Sequence, residues 1–242
     1  MSGSELMPLP EDWERGLAIV AHPDDLEYGA AGAVARWTDQ GKEIVYVLAS
    51  AGEAGIDGVL PSECAAIRIE EERRGAALVG VTTVEFLDHR DGVIEYGMEL
   101  RRDLARAIRR HRPDVLITSN HHMTWGGVNL NMADHRNVGL AAIDAARDAG
   151  NRWVFPELLD EGLEPWSGAR RIFENASPVG TYAVDVTETI DRSIASLREH
   201  KAYLAGLGDG TTDPDEFLRS SAGDAAERFG GRLAVTFELY QW

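Results

Sequence analysis

Residues 16–41 read GLAIVAHPDDLEYGAAGAVARWTDQG. The first six form a short apolar run of the kind that makes a buried strand, and AGAVARWTDQG (31–41) reads as a helix that ends at Gly41. Between them stand His22, Pro23, Asp24 and Asp25. A turn uses one Asp; it has no structural need of a histidine and two carboxylates. A strand that ends in three ionisable groups, followed by a helix that opens with small residues, suits an α/β sheet that presents side chains at a strand end.

The same alternation continues. EIVYVLAS (43–50), TVEFLD (83–88) and DVLITS (114–119) read as strands. Helices are predicted over 61–80 with Ser62 as N-cap, over 97–111, and over 134–150 with Asp134 as N-cap. Strand then helix, repeated four times, predicts an α/β fold with a Rossmann-like, mostly parallel sheet and helices on both faces. Ligands in such sheets bind beyond the carboxyl ends of the strands. The loops after Ala21, Ser50, Leu87 and Ser119 are therefore expected on one rim.

Beyond residue 150 the pattern is looser. Strands are predicted at 170–176, 181–186 and 232–242, a helix at 188–207 capped by Thr187, and a long loop at 151–170. No stretch reads as a linker. The expectation is one domain over 1–242, with 16–145 as sheet core and 146–242 completing a pocket.

Composition narrows the function classes. The net charge is −17, from 41 acidic residues against 24 Lys and Arg, which opposes nucleic acid and anionic membrane as partners. No apolar run approaches the ~18 residues that a membrane span needs. The acidic, polar start MSGSELMPLPEDWERG does not read as a signal peptide. Cys64 is the only cysteine and has no internal disulfide partner, so a cytoplasmic location is expected.

The rim loops carry the chemistry. The first has His22, Asp24 and Asp25, the second Glu53, the third Asp88, His89 and Asp91, and the fourth His121, His122 and His135. Mixed histidine and carboxylate donors suit zinc, whose catalytic sites commonly take three protein ligands. His22 and Asp25, three residues apart, can hold one ion together, leaving Asp24 beside it as a general base. The same residues also fit a turn with an aspartate capping the next helix, and His135 also fits a structural or solvated position. Trp125 suits either a sugar-stacking platform or a loop anchor.

AHPDDLEYGAAG, SAGEAG, RIEEERRGAALVGV, RPDVLITSN and ADHRNVG, in that order over residues 16–145, resemble the LmbE-like or PIG-L family. Its members are zinc-dependent deacetylases of N-acetylglucosaminyl compounds and related amides. The resemblance implies metal on His22, Asp25 and His135, with Zn2+ first and Fe2+ as an alternative. It implies Asp24 as base, and Arg68, in an Arg-x-x-Glu pattern completed by Glu71, as substrate contact. Without it, Arg68 and Glu71 read as a surface pair on a helix.

One position departs. Where the family often has His-Pro-Asp-His, this chain has Met132, Ala133, Asp134 and His135. A thioether neither donates to an oxyanion nor protonates a leaving amine. Either His121, His122, Asn129 or Asn131 supplies the acid, or Asp24 serves both proton transfers, or activity is reduced. Asp134 can orient a ligand, cap the helix, or both.

The expected function is removal of an N-acetyl or other N-acyl group from a small amino-sugar compound. The alternatives are an amidase acting on a larger conjugate or natural-product intermediate, and a non-catalytic metal or sugar binder. The partner is a small molecule, and a homo-oligomer is left open.

Overall fold

The strands of the sheet are β1 (Met7–Pro8), β2 (Arg15–Val20), β3 (Glu43–Leu48), β4 (Thr83–Phe86), β5 (Val115–Ser119), β8 (Arg171–Asn175), β9 (Tyr182–Asp185) and β10 (Ala234–Gln241). A two-stranded hairpin, β6 (Thr124–Gly126) with β7 (Asn129–Leu130), stands apart. This computed structural model describes residues 4–208 and 212–242. The sheet order is β4-β3-β2-β5-β8-β10-β9-β1. The first five are mutually parallel, β10 runs antiparallel to both its neighbours, and β1 is parallel to β9.

Strand composition explains the double coverage. Along β2, Leu17 and Ile19 enter one core while Ala18 and Val20 enter the other. A parallel strand buried on both faces must be apolar, and this one is from Gly16 to Val20. The first core lies under α2 (Ala31–Asp39), α3 (Pro61–Leu78), α7 (Ile190–Leu197) and α9 (Pro214–Ala226), around Trp37, Phe173 and Phe237. The second lies under α4 (Met98–His111) and α5 (Ala133–Gly150), around Leu100, Leu104 and Ile108. Three short helices remain among the described residues: α1 (Asp25–Tyr28), α6 (Glu157–Asp160) and α8 (Lys201–Gly206).

From β2 the chain moves to β3 and β4 on one side, then returns to β5 and β8 on the other. The switch point lies between β2 and β5. Adjacent crossovers diverge there and leave a crevice beyond the strand ends.

Several local expectations are corrected. The N-cap of α3 is Leu60 with Pro61 as first helical residue, so Ser62 lies inside the helix. The N-cap of α5 is Met132, so Asp134 does not cap it. The single helix expected over 188–207 is two, α7 and α8, and the cap of α7 is Thr189 rather than Thr187. The break has a cause: the buried carboxylate of Glu71 accepts the Ala202 amide at 2.6 Å and starts a new helix there. The expected loop at 151–170 contains α6. Helix α9 is not in the sequence reading at all.

Candidate active site

The end of β2 is where the first ligand-bearing loop begins. Asp25 Oδ2 accepts the backbone amides of Ala21 at 2.9 Å and His22 at 3.0 Å. That fixes the carboxylate and turns Oδ1 outward. Oδ1 lies 3.0 Å from His135 Nε2 and 3.7 Å from His22 Nδ1, and the two ring nitrogens are 3.3 Å apart. Tetrahedral zinc with bonds of about 2.0–2.1 Å places its ligand atoms about 3.3 Å from one another. The three donors fit such an ion. The remaining donors are oriented as well. His22 Nε2 faces Asp91 Oδ1 at 3.1 Å and Asp134 Oδ2 at 3.2 Å, and His135 Nδ1 faces Asn131 Oδ1 at 3.0 Å. Second partners of this kind fix tautomer and ring plane.

The electrostatics agree with a cation at this point. Burial works against charge on His22, but hydrogen bonds to Asp134, Asp25 and Asp91 outweigh it and push its pKa up to about 12. Burial raises Asp25, but the His135 and His22 rings outweigh that and hold it well below the ordinary carboxylate range. Three carboxylates around one imidazole, those of Asp25, Asp91 and Asp134, favour positive charge there, which a proton or a metal ion supplies.

Asp24 points elsewhere. Its backbone is left-handed, φ 94° and ψ −17°, a conformation that costs a residue with a side chain on the order of 1 kcal/mol. Successive aspartates therefore diverge. The Asp24 side chain is buried, and its Oδ1 accepts Arg68 Nη2 at 3.0 Å. The Tyr203 hydroxyl also bonds it. Burial, aided by Asp25 and opposed chiefly by Arg68, pushes its pKa up to about 6.

Arg68 and Glu71 are not a surface pair. Arg68 is 2% exposed and Glu71 3% exposed. Arg68 also donates to the Pro23 carbonyl, and its guanidinium stacks on the Tyr203 ring at 3.7 Å. Its Nε and Nη1 have no hydrogen-bond partner among the described residues.

These residues border a cavity of about 800 Å3, lined by His22, Asp24, Asp25, Arg68, Asp91 and His135 at its floor. Trp125, Asn129 and Met132 form one wall, and Asn175, Tyr203, Phe217 and Thr236 others. Trp125 meets His135 edge-on, with ring centroids 5.4 Å apart, and remains 40% exposed. It lines the cavity and braces the His135 ring together.

Of the residues considered for the position left by Met132, three are committed elsewhere. His121 Nδ1 pairs with Glu174 and His122 Nε2 with Glu238, each at 2.8 Å, and neither ring lines the cavity. Asn131 donates to the carbonyls of Asn120 and His122 and faces His135. Asn129 lines the cavity. Glu53 instead accepts the Asp91 amide at 2.8 Å and props the third loop. Cys64 is packed, with Sγ toward the Gly52 carbonyl.

Sequence reasoning missed Tyr203 and Glu72. Nothing local marks Tyr203. Glu72 follows Arg68 by four residues, the spacing that puts two side chains on one helix face, so a signal was present.

The family model described as PIG-L, GlcNAc-PI de-N-acetylase, matches residues 17–146. The chain belongs to the PIG-L family. A diacetylchitobiose deacetylase of Thermococcus kodakarensis is 31% identical, across 80% of this chain and 71% of the relative. A 1D-myo-inositol 2-acetamido-2-deoxy-alpha-D-glucopyranoside deacetylase of Thermomonospora curvata is 27% identical, across 81% and 82%. The solved N,N'-diacetylchitobiose deacetylase of Pyrococcus horikoshii superposes with a TM-score of 0.85 at 28% identity, covering 96% of this chain and 85% of that one. This PIG-L protein thus shares fold and family with amide hydrolases. None of its described helices is long and apolar enough to cross a membrane.

Proposed function

We propose that this PIG-L protein is a metal-dependent N-deacetylase of a small amino-sugar compound. The observation that carries the reading is the pair of adjacent aspartates with opposite aims. Asp25 joins His22 and His135 in a three-donor set, and Asp24 stands free of that set inside the same cavity.

His22, Asp25 and His135 are the ligands proposed for a divalent metal, Zn2+ first by their mixed nitrogen and oxygen donors. Such an ion supplies Lewis acidity, lowering the pKa of a water toward about 7 and polarising the acyl oxygen. Asp24 takes a proton from the attacking water at a carboxylate oxygen. With a pKa of about 6 it is mostly ionised at neutral pH, yet basic enough to hold the proton. The same group then returns that proton to the leaving nitrogen. This double duty suits a site in which Met132 provides no acid. Water and amide give a carboxylic acid and an amine, which leave as carboxylate and ammonium once the acid's proton passes to the amine, so atoms and charge balance.

Arg68 is proposed to contact substrate at the cavity floor, supported by its place in the lining. Residues 146–242 are proposed to complete the pocket within a single domain over 1–242, supported by Asn175, Tyr203, Phe217 and Thr236 in its walls. The single, buried Cys64 supports a reducing, cytoplasmic setting. Amine release from a panel of N-acyl amino sugars, measured beside bound metal, tests the reading. Full metal occupancy with no panel member cleaved would defeat it and favour a non-catalytic binder.

A further inference from the structure

Two neighbouring carboxylates that must point apart need something to hold the peptide between them. Asp24 is the hinge, in a left-handed conformation that only glycine adopts freely. Its backbone amide donates to Glu72 Oε2 at 3.1 Å. On the other side of the residue, its carbonyl accepts the Tyr28 amide at 2.9 Å. The preceding carbonyl, that of Pro23, accepts from Arg68 Nη2. Arg68 and Glu72 therefore grip the two polar groups of one peptide unit, the C=O of Pro23 and the N–H of Asp24.

The grip comes from one helix. Arg68 and Glu72 lie four apart on α3, so both side chains leave the same face and reach the loop in parallel. Glu72 is 0% exposed, in a pocket it shares with Glu27 and His200, whose imidazole Nε2 is 3.7 Å from Glu72 Oε2. A fully buried carboxylate with an unpartnered Oε1 is a poor choice for stability alone. Its one hydrogen bond among the described residues goes to the Asp24 amide.

We infer that Glu72 is a positioning residue for Asp24: with Arg68 it clamps the Pro23–Asp24 peptide, so that Asp24 faces the reacting water while Asp25 stays in the metal set. The inference rests on the reading of Asp24 as base. It deepens that reading by naming what keeps base and ligand apart.

Glu72→Met removes the acceptor and keeps the volume. Glu72→Gln keeps an acceptor oxygen without the ionisable carboxyl. In E72M, kcat is expected to fall at least tenfold, while KM and bound zinc stay within twofold of the parent. E72Q is expected to recover most of the lost kcat. Aspartate-selective 15N labelling, with the peak assigned by its loss in D24N, reads the hydrogen bond directly: the Asp24 amide is expected downfield in the parent and in E72Q, and shifted upfield in E72M. Unchanged kcat in E72M, an E72Q as impaired as E72M, or an Asp24 amide that does not move would each overturn the clamp. Should E72M not fold, Glu72→Asp withdraws the oxygen by one methylene and must show the same loss and shift. Should the parent cleave nothing, the deacetylase reading fails on its own, and the amide shift alone decides the clamp.

Discussion

Asp24 and Asp25 have the same side chain and share a peptide bond, yet their surroundings push them apart in charge. Asp25 is held well below the ordinary carboxylate range by two imidazoles, while burial lifts Asp24 to about 6. Asp24→Asn keeps the shape and removes the proton acceptor. A drop in kcat of roughly 10²–10⁴ is expected, with metal content unchanged; an undiminished rate would take Asp24 out of the mechanism. Asp134 acts one step further out, fixing His22 through Nε2 while also accepting the amides of Gly92 and Ile94. Asp134→Asn is expected to weaken metal binding about 10–100-fold, read by competition with a chromogenic chelator; affinity equal to the parent would make Asp134 a loop tie only. At this scale the sequence was legible where the chemistry is local. His22, Asp24 and Asp25 are one motif, and structure brings His135 to them. The left-handed turn at Asp24 was not legible, because nothing in His-Pro-Asp-Asp says that a glutamate 48 positions later holds its amide.

Helix α3 is where one element does several tasks. Arg68, Glu71 and Glu72 point inward, and only the first was singled out for the site by resemblance. Glu71 serves the fold: it accepts the amides of Ala202 and Tyr203 and so begins α8, which carries Tyr203 to Asp24. Hydrogen bonds from neutral donors to a buried carboxylate contribute about 1.5–3 kcal/mol each at best, and the second bond, at 3.4 Å, is long. Glu71→Ala is therefore expected to lower Tm by roughly 4–10 °C in a chain of this length. Calorimetry showing no change would leave the α7–α8 break unexplained. Periodicity could not have shown this break, since the pattern over 188–207 stays amphipathic across it and the cause lies on another helix. Helix α9 is the opposite case. Asp213 caps it by accepting the Asp215 amide at 2.8 Å, and Pro214 is its first residue. Asp-Pro at a helix start is a recognised signal, so this element was readable. The inner parallel strands β2, β3 and β5 were legible because burial on both faces leaves little choice of side chain.

On the scale of the whole molecule, the site is a junction of distant segments. The end of β2 gives His22 and Asp25, the start of α5 gives His135, and α8, α9 and β10 wall the cavity. Beside the loop that carries Asp24 lies the buried trio Glu27, Glu72 and His200. Burial, with Arg68 and Arg74 nearby, drives the pKa of His200 down to about 3. Burial raises Glu27 to about 7 and Glu72 well above its ordinary value. The two kinds of shift have opposite consequences. The folded chain refuses a proton at His200 that the unfolded chain accepts, so this contribution to stability is full above pH 6.5 and is lost as pH falls toward 3. The glutamates hold their protons to higher pH in the folded chain than in the unfolded one, so their contribution is full below about pH 4.5 and fades as pH rises through their folded values. From pH 7 to 5 the terms oppose, and His200 alone costs on the order of 2 kcal/mol. His200→Gln removes that cost and leaves the glutamate term. Its stability relative to the parent is therefore expected to improve by about that amount over the interval, measured as urea midpoints at each pH. Parallel curves for the two proteins would mean that His200 takes up its proton in the folded state, and that the buried trio is less closed to water than its burial implies.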